Sequence, residues 1–326
     1  MCIKENFPFE ERDFSTDHCF VCGALLNAEN KSVEHIYPKW LQKKFNLSSQ
    51  KITLLNQSKI FYRNLTIPCC KQCNNHMSDR IEKPMERAVS EGYSSVISLD
   101  KNIIFQWLNK LSYGLLYKEA MLLVDRKRHD KGYIISSTFL QALTMRYVFL
   151  KSIIDDTEFI ESPFSLLIFR LKLSDKISYW ASDSIFTSSF CMFLGKVGIV
   201  ANLQDNKFNE RFFRESKKMC PLLDEELHYL QFIEVCAKFT YKSSLLRGTP
   251  NYFLVAKEGK SEQILSQTMS NFYYDDWSQK DYAQLFAVYL ENFGYKFDDI
   301  YIDDKQVSTF LWDEHQNFID DVEKPS

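Results

Sequence analysis

A chain of 326 residues is long enough for two domains, and 45% hydrophobic content with 27 Phe, 17 Tyr and only 9 Gly describes a packed globule rather than a flexible array. A net charge of −3 argues against a simple nucleic-acid coat, and no apolar run reaches the roughly 18–20 residues of a membrane span. Met1-Cys2-Ile3-Lys4-Glu5-Asn6 lacks the apolar core of a secretory signal. The nine cysteines, an odd number, suit metal binding in a reducing interior better than a disulfide framework, so a cytoplasmic location is expected.

Residues 1–17 are polar and aromatic without periodicity, a lead-in expected to pack on the cysteine-bearing segment after it. Cys19-Phe20-Val21-Cys22-Gly23 reads as a metal knuckle, the glycine allowing the backbone to turn under the metal. Ser32–Ile36 is β-like and ends at Pro38, Trp40–Phe45 forms a brief helix, and Lys51–Leu55 and Lys59–Leu65 alternate as strands. Cys70 to Cys73 is a second knuckle. Asn74 or Asn75 then caps a helix with Met77, Ile81, Met85 and Val89 at four-residue intervals, which Pro84 should kink or split. Strand, strand and helix clamped by zinc are expected over residues 1–90.

From residue 91 to 326 the pattern is that of a larger mixed body, so the fold class is α+β. Helical spacing covers Ile103–Val124, Phe139–Ile154, Leu222–Phe239 and Asp281–Phe293. Ser165–Leu171 and Tyr252–Ala256 are extended, and Phe190–Leu194 with Val197–Leu203 form a hairpin turned at Gly195-Lys196. No linker-like stretch marks the border near residue 90, and there is no internal repeat. From Lys31 to Arg87 eleven Lys/Arg stand against four acids, a balance of +7 that leaves −10 for the remainder. A basic patch at one end fits a polyanionic substrate there.

Two motifs carry chemistry. The pairs Cys19/Cys22 and Cys70/Cys73 are separated by 47 residues and can close one tetrahedral zinc site. Cys70 rather than Cys69 keeps the two-residue gap to Cys73, so Cys69 is expected to pack. Glu34-His35 between the pairs, with asparagines drawn near by the zinc clamp, supplies the parts of a second, open, catalytic metal. Elsewhere His18 is assigned to solvent, and His129 to a solvated basic loop, Asp125–Lys131. His228, His315, Cys191, Cys220 and Cys236 are read as packing or surface residues. Asp275-Asp276, Asp298-Asp299 and Asp303-Asp304 are read as acidic turns.

The ordered set Cys19-x-x-Cys22, Glu34-His35-Ile36-x-Pro38, Asn64-Leu65, Cys70-x-x-Cys73-Asn74 resembles the zinc-bearing HNH endonuclease family, over roughly residues 19–87. The resemblance implies a ββα-metal finger with a large C-terminal extension. It implies His35 as general base, Asn64 as the residue orienting it, and Glu34 and Asn74 as ligands of a catalytic Mg²⁺ or Mn²⁺, beside a structural Zn²⁺. The implied activity is hydrolysis of DNA phosphodiester bonds to 5′-phosphate and 3′-hydroxyl ends, with restriction or anti-phage defence as the setting. RNA is a further candidate substrate, because nothing in the motif reads the 2′-hydroxyl. Many members carry histidines where this chain has Asn74 and Ser78, which leaves open whether Asn75, His76 or Glu82 completes the site. Trp107-Leu108-Asn109-Lys110-Leu111-Ser112-Tyr113-Gly114-Leu115 also resembles a segment of such extensions, with no chemistry attached to it. The C-terminal body is expected to recognise DNA, a small molecule, a partner protein or a second copy of the chain. The other reading is a zinc finger that grips nucleic acid or a partner without catalysis.

Overall fold

The computed structural model describes residues 2–3, 14–125, 127–134, 136–174, 176–248, 250–256, 262–267, 272–320 and 322. Its fold is α+β, in two compact units. One comprises residues 1–91, 98–161 and 252–266, the other residues 92–97, 162–251 and 267–326. The compact units therefore do not divide at residue 90. Two long helices that follow the cysteine module belong with it, because their buried faces close on it.

In the first unit β1 (Lys31–His35) pairs antiparallel with a later strand, residues 66–70, from Lys31 opposite Cys70 to His35 opposite Thr66. Between them lie α1 (Lys39–Lys44), which starts directly after Pro38, and the hairpin of β2 (Lys51–Thr53) and β3 (Lys59–Phe61). The strand expected to reach Leu65 stops at Phe61, where Tyr62–Asn64 closes as a 3₁₀ turn; β4 (Thr66–Cys70) then starts afresh. Next come α2 (Lys71–Met77), a π-helical turn at Ser78–Glu82 and α3 (Lys83–Glu91). The cap of α2 is Cys70, whose Sγ accepts the Cys73 N–H at 3.4 Å, one turn earlier than the asparagines expected there. Pro84 splits the helix only mildly. It sits in the first turn of α3, where its missing N–H is tolerated, and the wider π turn before it lets the Lys83 N–H bond Ser78 O. Met77, Ile81, Met85 and Val89 all stay buried.

Two helices complete the unit. α4 (Lys101–Ala120) is capped by Asp100, and α5 (Ser137–Asp155) by Ser136. Fifteen of the twenty residues of α4 are buried, so its polar members need partners inside the protein. A small sheet in the order Cys2–Ile3, Asn251–Ala256, Gln263–Gln267, Glu158–Phe159 joins them, and Phe149 meets Phe105, Phe159 and Tyr252 edge-on.

The second unit is built on a five-stranded sheet in the order Glu226–Leu227, β5 (Ser165–Leu171), β8 (Val197–Asn202), β7 (Ser189–Leu194), β6 (Tyr179–Ser184). The first pair is parallel and the rest antiparallel. Gly195 turns the β7–β8 hairpin as expected, with φ +61°. Every residue of these two strands is buried, so their sequences run apolar instead of alternating. α6 (Phe208–Glu215) precedes α7 (Tyr229–Leu245), which packs on the sheet, and α8 (Gln279–Leu290) packs on α7. Gly198 permits the close approach: a Cβ there would stand 2.4 Å from the Phe232 ring. The helix expected at Leu222–Phe239 starts later and runs further. Cys220–Leu223 is a 3₁₀ turn, Glu226–Leu227 is strand, and His228 with Gln231 forms a capping box that launches α7. Among the described residues no helix is long and apolar enough to cross a membrane.

Candidate functional site

The first knuckle folds by local bonds. Gly23, at φ +74°, donates its N–H to Cys19 O, and Cys19 donates to Ala24 O, both at 2.9 Å. Phe20 N–H reaches Pro68 O at 3.0 Å and ties the knuckle to β4, which carries Cys70. The sulfurs of Cys19, Cys22, Cys70 and Cys73 lie within 4.8 Å of one another, with Cys22 and Cys70 3.8 Å apart. A tetrahedral Zn²⁺ with bonds of about 2.3 Å needs sulfurs about 3.8 Å apart, so the four residues fit that ion. Hydrogen bonds from Cys22, Cys69 and Cys73 pull the Cys19 thiol far below the usual range, while Cys19 and Cys22 push Cys73 far above it. Sulfurs this close ionise together only against a cation. Cys69 packs, as expected, with its thiol donating to Cys70 O at 3.3 Å. His18 is half-buried against Ser15 Oγ, 3.0 Å from its Nδ1, and lies outside the sulfur cluster.

Beside the paired strands β1 and β4 opens a cleft of about 600 Å³. Glu34 and His35 enter it from β1, Asn74 and Asn75 from α2, Glu82 from the π turn, and Lys39 and Lys71 give it a basic rim. The Asn74 amide donates to Ser32 Oγ at 2.8 Å and Val33 O at 3.4 Å, which fixes helix to strand. Asn64 is exposed at the end of its turn and is not part of the cleft lining; the next residue, Leu65, accepts the Ile36 N–H at 3.1 Å. His76 is half-buried on α2, also outside the lining, with an Nδ1 that has no hydrogen-bond partner among the described residues.

Sequence reasoning missed the residue on which this cleft is built. Lys110 of α4 is fully buried, and its ammonium contacts four acceptors: His35 O at 2.9 Å, Ile36 O at 3.1 Å, Glu82 Oε1 at 2.6 Å and Glu34 Oε1. One turn on, Gly114 lets the helix come close, since a Cβ there would stand 3.2 Å from Ile36. A further turn on, Lys118 donates to Thr66 O at 3.2 Å. Trp107 stacks on Trp40 at 5.9 Å, Tyr113 donates to Phe20 O, and Glu119 accepts the Leu55 N–H. The segment from Trp107 to Leu115 is thus the seam that fastens α4 to the cysteine module. Its signal in the sequence was a lysine inside an all-round apolar helix, where a charge must be partnered.

The charges set one another. Burial alone would push the Lys110 ammonium down, but Glu34 and Glu82 outweigh it and hold Lys110 above its ordinary value. Glu34, the deeper carboxylate, is pushed up to about 6 by burial despite Lys110. His35 is held below its ordinary value by burial first and then by the charges of Lys39 and Lys110. A neutral imidazole beside two carboxylates and a basic rim can accept a proton next to a bound anion.

The remaining motif residues have local roles. Lys131 pairs with Asp125 and Arg128 with Asp130, each at 3.5 Å, within the basic run; Arg126 and the His129 side chain lie outside the described set. His315 is exposed beside Glu314, and Cys191 and Cys236 are buried. Asp303 caps the N–H groups of Lys305 and Gln306, and Asp275 pairs with Arg247. Among the described residues the four cysteines form the one cluster of three or more His, Cys, Asp or Glu ligands. No family model, curated protein or solved structure matches this chain.

Proposed function

We propose that the first unit is an HNH-type endonuclease that hydrolyses DNA phosphodiester bonds with a divalent metal. The observation that carries this reading is the pairing of His35 and Glu34 at the end of β1 with Asn74 on α2, in one cleft beside a four-cysteine clamp. His35 takes a proton from a water, whose oxygen attacks phosphorus. The bond to the 3′ oxygen breaks, and that oxygen leaves with a proton from solvent, giving 5′-phosphate and 3′-hydroxyl ends. Glu34, Glu82 and the Asn74 carbonyl, oxygen donors suited to Mg²⁺ or Mn²⁺, would hold the ion. A bound ion would polarise the phosphate and stabilise the departing oxygen. Lys39 and Lys71 attract the strand. Lys110 acts through others: it fixes the His35–Ile36 backbone and both carboxylates.

A second reading, binding without catalysis, is favoured by one feature. The Glu34 carboxylate is already engaged by Lys110, which competes with any ion for it. Incubating supercoiled plasmid with the protein and Mg²⁺ or Mn²⁺ separates the two. Nicking that falls on the order of 10²–10⁴-fold in His35→Ala supports the nuclease. Tight binding with no nicking by the native chain supports the alternative.

A further inference from the structure

The second unit holds a pocket of about 290 Å³ between α6, α7 and the segments bearing Trp277 and Trp312. Buried Phe213 and Phe239 form part of its lining, and Phe212 joins the two tryptophans in the wall. Lys218, Lys238 and Lys242 also line it, and among the described residues no carboxylate does. Since the chain outside residues 31–87 carries −10, this is a local reversal of sign.

The three lysines differ in what holds them. Lys238 pairs with buried Glu234 at 3.0 Å, and Lys218 donates to Gln316 Oε1 at 2.6 Å. Lys242 has no carboxylate partner among the described residues. Its ammonium lies 3.9 Å from the Tyr274 ring centroid and 4.3 Å from that of Phe212. Ring faces stabilise a cation without neutralising it, so the charge stays available to an incoming anion. Against desolvating aromatic walls such an anion is attracted more strongly than on an open surface. The same walls disfavour a bare inorganic anion, which would lose hydration with no apolar contact to offset it.

We infer that this pocket binds a small aromatic anion, a planar ring bearing a phosphate or carboxylate, with Lys242 as its counter-charge and the ring against Trp277 and Trp312. The volume lies just below the range of about 300–1,000 Å³ usual for ligand pockets, which suits one ring system with its anion, such as a nucleoside monophosphate. Binding here does not depend on the chemistry of the first unit.

The test is calorimetric titration of the full chain with five probes: adenosine 5′-monophosphate, indole-3-acetate, adenosine, inorganic phosphate and decanoate. The expected result is binding of one or both ring anions at least tenfold tighter than the other three, which also tells phosphate from carboxylate. Lys242→Met is expected to weaken it tenfold or more, with Lys242→Arg restoring most of it. Should Lys242→Met fold poorly, Lys218→Met, at a lysine bonded to Gln316, carries the test with a smaller loss expected. Binding of neither ring anion, equal binding of decanoate, or affinity unchanged in the lysine variants would overturn the assignment.

Discussion

Lys110 in the first unit and Lys242 in the second begin from the same physical problem and reach opposite answers. Burial pushes both ammonium groups down. Around Lys110 the carboxylates of Glu34 and Glu82 outweigh that push, and the group ends above its ordinary value. Around Lys242 two ring faces and no carboxylate stand among the described residues, and burial leaves the group below it. The first is an internal fastener whose charge is fully answered by the protein. The second keeps its charge for something outside. The two lysines differ in partners and also in depth, since Lys110 is fully buried and Lys242 only half-buried.

The contrast can be broken in four places, beginning with the clamp that brings β1 and α2 together around Lys110. Removing metal with a chelator, or replacing Cys70 by Ser, should abolish hydrogen-exchange protection across β1, β4 and α2, since a structural zinc site is worth about 10–16 kcal/mol. Protection unchanged by both treatments would mean the four sulfurs hold no ion.

Lys110→Met should cost about 3–5 kcal/mol in denaturant unfolding, because it strands Glu34 without a partner. Adding Glu34→Gln should recover part of that loss; a double variant no better than the single would show that the two residues are not coupled.

Asp205 tests the same logic with the sign reversed. It is buried among Ser165 and Asn209, and burial pushes its carboxyl up from 3.8 to about 6. A raised carboxyl contributes stability that is fully present below about pH 4 and lost as pH rises through about 6. The loss is about 3 kcal/mol at most, since each pH unit between the unfolded and folded values is worth about 1.4 kcal/mol. Asp205→Asn should flatten the pH dependence of melting over that window; a slope equal to that of the native chain would refute it. Smallest of all, Lys242→Met should change stability by about 1 kcal/mol or less, since it forfeits only ring contacts. A loss as large as that of Lys110→Met would erase the distinction between the two lysines.

The legible parts of the molecule were those written in local spacing. The two Cys-x-x-Cys pairs predict the sulfur cluster, and Ser32–Ile36 reads as a strand stopped by Pro38. Helical periodicity finds α4, α5 and α8 within a few residues. The failures came where distant groups decide the local structure. The cap of α2 is a sulfur, chosen because Cys70 already faces the knuckle, and not one of the asparagines. The start of α7 waits for the capping box at His228, because Glu226–Leu227 pairs with β5 instead. Lys110 was hidden for the same reason. Its partners lie 28, 74, 75 and 76 residues away, and no periodicity within a helix reports them. Asn64 shows the reverse limit: its motif position was legible, yet its side chain is exposed and outside the cleft.

The most direct test of the central claim is single-turnover cleavage of an end-labelled DNA duplex with Mg²⁺ or Mn²⁺, with the chemistry of both product ends determined. The expected result is 5′-phosphate and 3′-hydroxyl ends from the native chain, and a rate lower on the order of 10²–10⁴-fold from His35→Ala. Equal rates for the two proteins, or an intact duplex that the native chain binds but never cuts, would contradict it.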